Sequence, residues 1–166
     1  MTHPYHTHAE TLLAQLPKGV FITVSTGEKT NTMTIAWGHL GFLWGKPMFI
    51  AYVRYSRYTY DLLREAEDYT INVPTQDPLH EALKIAGTTS GRAGDKFSAA
   101  NLTLKPSQKV KSPIIAECGL HYECRIVYTQ TQEPALIPEA IQSRYYPEPD
   151  THIMFFGEIV DVYRLD

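Results

Sequence analysis

Short β-branched and aromatic runs, each closed by a cluster of turn residues, recur along this chain and limit what it can fold into. GVFITVS (19–25), TMTIAWGHL (32–40), PMFIAYV (47–53) and YTINV (69–73) read as strands, and 119–130 and 151–163 read as longer ones. TGEKTN separates the first two as a turn. Helical periodicity is confined to short stretches. AETLLAQL (9–16) is amphipathic and stops at Pro17, and 57–67 repeats Tyr58, Leu62, Ala66 and Tyr69. DPLHEALKIAG (77–87) has Asp77 to cap it, Pro78 in its first turn and Gly87 to end it, and 138–144 is one more helical piece. Sequential strands with so few crossover helices predict a mainly β, mostly antiparallel barrel of six or more strands, not a doubly wound sheet.

A chain of 166 residues fits one domain, 1–166, with 1–8 expected to be a flexible tail. The net charge of −3 argues against broad nucleic-acid binding, which needs a basic footprint. The longest apolar run, Met48 to Val53, is far too short to span a membrane as a helix. MTHPYHTHAETLLAQL has neither a basic start nor a long apolar core, so no signal peptide is expected and a cytoplasmic location is. Cys118 and Cys124 make neither a metal pair nor a disulfide scaffold. The histidines, apart from His3, His6 and His8 at the N-terminus, stand singly, so no metal site is expected. With no G-x-S-x-G and no activated cysteine, hydrolytic chemistry has no support.

Three windows carry chemistry. Arg54-Tyr55-Ser56-Arg57-Tyr58-Thr59 lies where a strand gives way to a helix, with Ser56 as a candidate N-cap. A helix start with two arginines and two hydroxyls suits a phosphate, although a capped helix with solvated arginines has the same signature. In Asn31-Thr32-Met33-Thr34-Ile35-Ala36-Trp37-Gly38, alternation puts Thr32, Thr34 and Ala36 on one face, and such small residues let a flat ligand approach the backbone. An ordinary barrel strand with a wet threonine face reads the same way. In Ser90-Gly91-Arg92-Ala93-Gly94-Asp95-Lys96, Asp95 can cap a following helix and Lys96 is a local cation; a surface loop with a capped helix is the plain alternative. Segment 131–150, with four prolines and Arg144, Tyr145 and Tyr146, is long for a connection in a compact domain.

Taken in order, PKGVFITVST, NTMTIAWG, FIAYVRYSRYTYDLLREAEDYTINVP, GTTSGRAGDKFSAANLTL, SPIIAECGLHYEC and HIMFFGEIVDV resemble the flavin reductase-like family, the FMN-binding split-barrel proteins that include flavoredoxins. The resemblance runs over roughly residues 17–163. It implies a homodimer of six-stranded antiparallel split β-barrels with short peripheral helices, holding FMN at or near the subunit interface. It implies that Asn31, Thr32, Met33 and Thr34 contact the isoalloxazine ring or its polar edge, beside Ala36 and Trp37. Arg54, Ser56, Tyr58 and Thr59 would hold the phosphate. Ser90, Gly91 and Lys96 would reach the ribityl chain or ring, with Lys96 raising the flavin potential.

Two positions depart from the family pattern: Ala36 stands where serine is frequent, and Tyr55 where proline is common. The implied activity is an NAD(P)H:flavin oxidoreductase passing electrons from NADH or NADPH through flavin to a small-molecule or protein acceptor. No catalytic side chain is expected, because the flavin N5 carries the chemistry. An FMN-binding electron carrier without nicotinamide turnover is the alternative, and a haem or pyridoxal phosphate relative a third. Segment 131–150 is expected either to cover the flavin or to project into solvent.

Overall fold

A computed structural model describes residues 4–165. The strands are β1 (Val20–Ser25), β2 (Thr30–Ile35), β3 (Gly38–Leu43), β4 (Lys46–Arg54), β5 (Asp68–Val73), β6 (Leu104–Lys105), β7 (Ile114–Ile115), β8 (Leu120–Thr131) and β9 (His152–Arg164). The helices are α1 (Ala9–Gln15), α2 (Tyr58–Leu63), α3 (His80–Thr88), α4 (Lys96–Ala99) and α5 (Glu139–Tyr145), with 3-10 turns at Leu16–Lys18 and Pro134–Leu136. Seven strands form one antiparallel sheet in the order β2-β1-β5-β8-β9-β4-β3, and β6 pairs with β7 in a separate ribbon. The sheet curls until β2 lies close to β4.

The fold class is the mainly β, antiparallel architecture expected, with one more strand in the main sheet than six. The extra strand comes from a break in the run read as a single strand over 32–40. Ala36 and Trp37 fall outside β2 and β3, and β3 turns back through Trp44 and Gly45 to pair with β4. The alternation of the Thr32 window therefore ends at Ile35.

β1 is buried on both faces. Val20, Ile22 and Val24 join the barrel interior with Phe49, Tyr69, Tyr122 and Phe155, while Phe21 packs with Ala82, Leu83 and Ala86 of α3 outside it. A strand covered on both sides carries apolar residues on both faces, and the buried Thr23 on the Phe21 face finds its partner in Thr32. On β5 the row Asp68, Thr70, Asn72 is also buried. Its side chains bond the 111–115 backbone: Asp68 accepts from Lys111 and Ser112 N–H, Thr70 donates to Pro113 O, and Asn72 accepts from Ile115 N–H. Those bonds offset the cost of burying polar groups.

Helix boundaries shift in three places. α2 starts at Tyr58, not 57, and its cap position is Arg57 with no side-chain cap, so Ser56 is not the N-cap. α3 starts at His80, where Asp77 accepts from the Leu79 N–H. Gly87 does not end α3, which runs on to Thr88; a Cβ at that position would make ordinary contact with Thr34, 3.4 Å from its Cβ. α1 continues past Pro17 as a 3-10 turn, which proline tolerates in a first turn.

Of the 1–8 segment read as a tail, residues 1–3 lie outside the described residues. Residues 5–8 form a turn in which Thr7 N–H bonds Pro4 O, and the Tyr5 ring stacks on Phe42. Register slips at Glu123/Cys124 and Ile126/Tyr128 mark irregularities in the β8–β9 pair. The connection between these strands returns to the sheet where His152 lies opposite Arg54 of β4.

Candidate functional site

Three chain segments meet at one end of the barrel: the break after β2, the β4–α2 junction, and the stretch from Gly87 to Lys96. They enclose two adjoining cavities. A cleft of about 230 Å³ is bounded by Met33–Trp37, Tyr52, Arg54, Arg57, Gly87 and His152. A pocket of about 140 Å³ is bounded by Ser56–Thr59, Thr88–Ser90 and Lys96. Arg57 belongs to both.

The smaller pocket has the donor set of an anion site. Arg57 and Lys96 bring two cations, six residues bring hydroxyls, and no carboxylate lines it. Among the described residues neither cation has an ion-pair partner within 4.0 Å. Arg57 donates to Gly87 O at 2.6 Å, and Lys96 Nζ donates to Thr32 O at 3.0 Å and Ala86 O at 2.9 Å. Two of the three ammonium protons are thus used, leaving one for the pocket. Lys96 is 4% exposed, and burial, followed by the charge of Arg57, lowers its pKa to about 8. Burial likewise lowers Arg57 from its ordinary value, offset by Asp150 and reinforced by Arg54. A bound anion would relieve both cations.

Packing fixes the pocket wall. Asn31 is buried, and its Nδ2 donates to Thr59 Oγ1 at 2.9 Å. Gly91 lies against Asn31 and Tyr58 so closely that any Cβ would overlap the Asn31 amide, with the Tyr58 ring at 2.7 Å. Arg92 pairs with Asp61 and lies 5.3 Å over the Tyr58 ring, tying the 88–95 loop to α2. Asp95 caps α4 by accepting from Phe97 N–H at 2.9 Å, as the sequence predicts.

The larger cleft is flatter and more apolar. Ala36 and Trp37 are exposed there, and Thr34 Oγ1 donates to Leu83 O at 2.6 Å. The Trp37 ring lies 4.8 Å from the His152 ring. Burial, and then the charge of Arg54, lowers the His152 pKa to about 4, so His152 is neutral at pH 7. Its Nδ1 lies 2.8 Å from the Tyr146 hydroxyl.

The expected residues therefore converge but divide their tasks. Met33, Thr34, Ala36 and Trp37 line the cleft, and Tyr58, Thr59, Ser90 and Lys96 line the small pocket, with Gly91 packed beside it on Asn31 and Tyr58. Asn31 and Thr32 line neither: both are buried, Asn31 donating to Thr59 and Thr32 to Ile22 O. Arg54 and Ser56 bond segment 131–150 instead. Arg54 donates to Tyr145 O and Asp150 O, both at 2.7 Å, and the Ser56 N–H and hydroxyl both donate to the Asp150 carboxylate. Arg57 is absent from the residues assigned individually to ligand from sequence, although its window was singled out. Tyr52, Thr88, Thr89 and His152 lie within the stretches that carry the resemblance but have no individual role in the sequence reading.

Comparison with known proteins gives the family and the fold. The model of the flavin reductase like domain matches residues 13–166. The chain belongs to the flavin reductase-like family. An uncharacterised protein of Archaeoglobus fulgidus is 33% identical over 146 residues, covering 88% of this chain and 72% of that protein. A flavoredoxin from Methanosarcina acetivorans superposes with a TM-score of 0.68 at 25% identity, over 89% of this chain and 68% of that one. The FMN-binding domain of a flavin reductases-like enzyme from Shewanella baltica superposes with a TM-score of 0.72 at 16% identity, over 99% of this chain and 76% of that one.

Proposed function

We propose that this protein is an FMN-binding oxidoreductase of the flavin reductase type, taking electrons from a reduced nicotinamide and passing them to an acceptor. One observation carries the reading: two cations without ion-pair partners, Arg57 and Lys96, border a hydroxyl-lined pocket that opens beside a flat cleft. That donor set fits a phosphate, and the adjoining cleft fits a planar ring, which are the two ends of FMN. Arg57, Thr59, Ser90 and Lys96 would hold the phosphate end. Met33, Thr34, Ala36 and Trp37 would border the ring, supported from within by buried Asn31 and Thr32, and Gly91 would border the chain between, while Arg54, Ser56 and Tyr58 shape the rim.

FMN, when bound, supplies hydride and electron transfer. This chain's residues bind, orient and shield. The β2 end offers backbone for close approach, Trp37 and Tyr52 exclude water from one side, and neutral His152 adds no charge there. Lys96 favours negative charge that develops nearby.

The flavoredoxin likeness supports a second reading, an electron carrier without nicotinamide turnover. Purified protein reconstituted with FMN separates the two. Anaerobic bleaching of the flavin absorbance by NADH or NADPH, with catalytic turnover in air, is expected. Stable absorbance with both nicotinamides would overturn the reductase reading in favour of the carrier.

A further inference from the structure

A third cavity opens beside the cleft and shares part of its wall. It holds about 760 Å³, within the usual range for a small-molecule site. Leu136, Ile141 and Tyr145 of the 132–151 connection form one wall, and Leu13, Trp37 and Tyr52 contribute to the other. Ala36, Trp37 and Tyr52 are shared with the cleft, so a molecule seated here lies next to a ring seated there.

The wall is built, not draped. Gln142 Nε2 donates to Pro134 O and Ile137 O within the segment. Arg54 and Ser56 anchor its far end through Tyr145 and Asp150. Yet its apolar side chains have no protein cover: Leu136 is 81% exposed and Ile141 45%. Among the described residues no Asp, Glu, Lys or Arg lines the cavity, and His39 is the one basic side chain on it.

We infer that this cavity binds an uncharged, planar, largely apolar electron acceptor of the quinone class, a substrate assignment that rests on the proposed flavin function. A lining without lysine or arginine disfavours a nucleotide, whose phosphates need cations, and its apolar side chains favour a ligand that gains from leaving water. Carbonyl oxygens of such a ligand can accept from the Gln132 amide or the Tyr52 hydroxyl, both on the lining. The net reaction balances as quinone plus NAD(P)H plus one proton from solvent, giving hydroquinone plus NAD(P)+. Two electrons leave the nicotinamide, and both quinone oxygens gain protons.

Equilibrium dialysis of the FMN-loaded protein against menadione, an uncharged naphthoquinone, tests this. The control probe is 1,4-naphthoquinone-2-sulfonate, which keeps the 1,4-quinone bicyclic ring of menadione and carries a charge in place of its methyl group. The expected result is retention of menadione and at least about tenfold weaker retention of the sulfonate. Leu136→Glu and Ile141→Lys, both at exposed positions, should each weaken menadione about tenfold and leave FMN affinity unchanged. The menadione-dependent rate of each variant should fall through a raised KM. FMN binding without menadione retention, or equal menadione retention by both variants, would overturn the assignment. Loss of menadione retention as protein concentration rises would also overturn it, by giving the cavity to a second copy of the chain. Failure to bind FMN with menadione still retained would overturn the flavin reading and leave the cavity assignment standing.

Discussion

Lys96 holds its charge almost out of water between Thr32 O and Ala86 O, beside Arg57. Its pKa of about 8 is below the unfolded value of 10.5, so the ligand-free fold favours the neutral amine. Between those values the unfolded chain binds a proton that the native state does not, so ligand-free stability rises as pH climbs from 8. Affinity for a phosphate-bearing ligand moves the other way. If the protonated lysine is the binding form, FMN affinity should fall about tenfold between pH 7 and pH 9. Lys96→Met should bind more weakly at pH 7 and lose that pH dependence; a slope unchanged in the variant would remove Lys96 from the phosphate site. Isothermal titration at each pH measures this. The sequence made Lys96 legible as a local cation. It did not separate Arg57 from Arg54, because which arginine faces the pocket depends on partners about 90 residues away: Arg54 bonds carbonyls of Tyr145 and Asp150.

At the scale of elements, the strands were legible because β-branched and aromatic runs bounded by turn residues have few other solutions. The break after β2 was not. Ala36-Trp37-Gly38 continues the apolar run, and only the pairing of Gly38 with Ala51 across the hairpin draws β3 away. The connection from Thr131 to His152 was legible as long and Pro-rich, but its attachment was not, since Asp150 meets Ser56 through tertiary geometry alone. Charge-assisted bonds of this kind are worth about 1.5–3 kcal/mol when sheltered and less when exposed, as here. Asp150→Asn and Arg54→Ala should therefore loosen the connection. Limited proteolysis within 131–150 should speed up about threefold to tenfold in each variant. An unchanged rate of cleavage would mean that these contacts do not hold the segment.

The whole molecule presents an apolar ridge, with Phe42 64% exposed, Trp44 60% and Tyr128 42%, where Trp44 packs edge-on to Tyr128. We propose that this exposed apolar surface is where two copies of the chain meet. Phe42→Glu with Trp44→Glu should shift light-scattering mass from two copies to one, and a dimer persisting in that variant would place the interface elsewhere. The interior adds an acid limit. Burial lowers His121 and His152 to about 4, against an unfolded value of 6.5. The unfolded state takes up those protons first, so stability is full above pH 6.5 and lost as pH falls from there towards 4. Urea midpoints across that range should drop accordingly; a flat profile would mean that both histidines charge freely in the fold. The central claim, that the barrel rim holds FMN by its phosphate, is tested most directly by comparing FMN with riboflavin in calorimetric titrations of the wild type and Arg57→Ala. The wild type should prefer FMN, and Arg57→Ala should lose about tenfold to a hundredfold of FMN affinity while riboflavin binding barely changes. Equal affinity of the wild type for the two flavins, or an Arg57→Ala variant that still prefers FMN to the same degree, would contradict it.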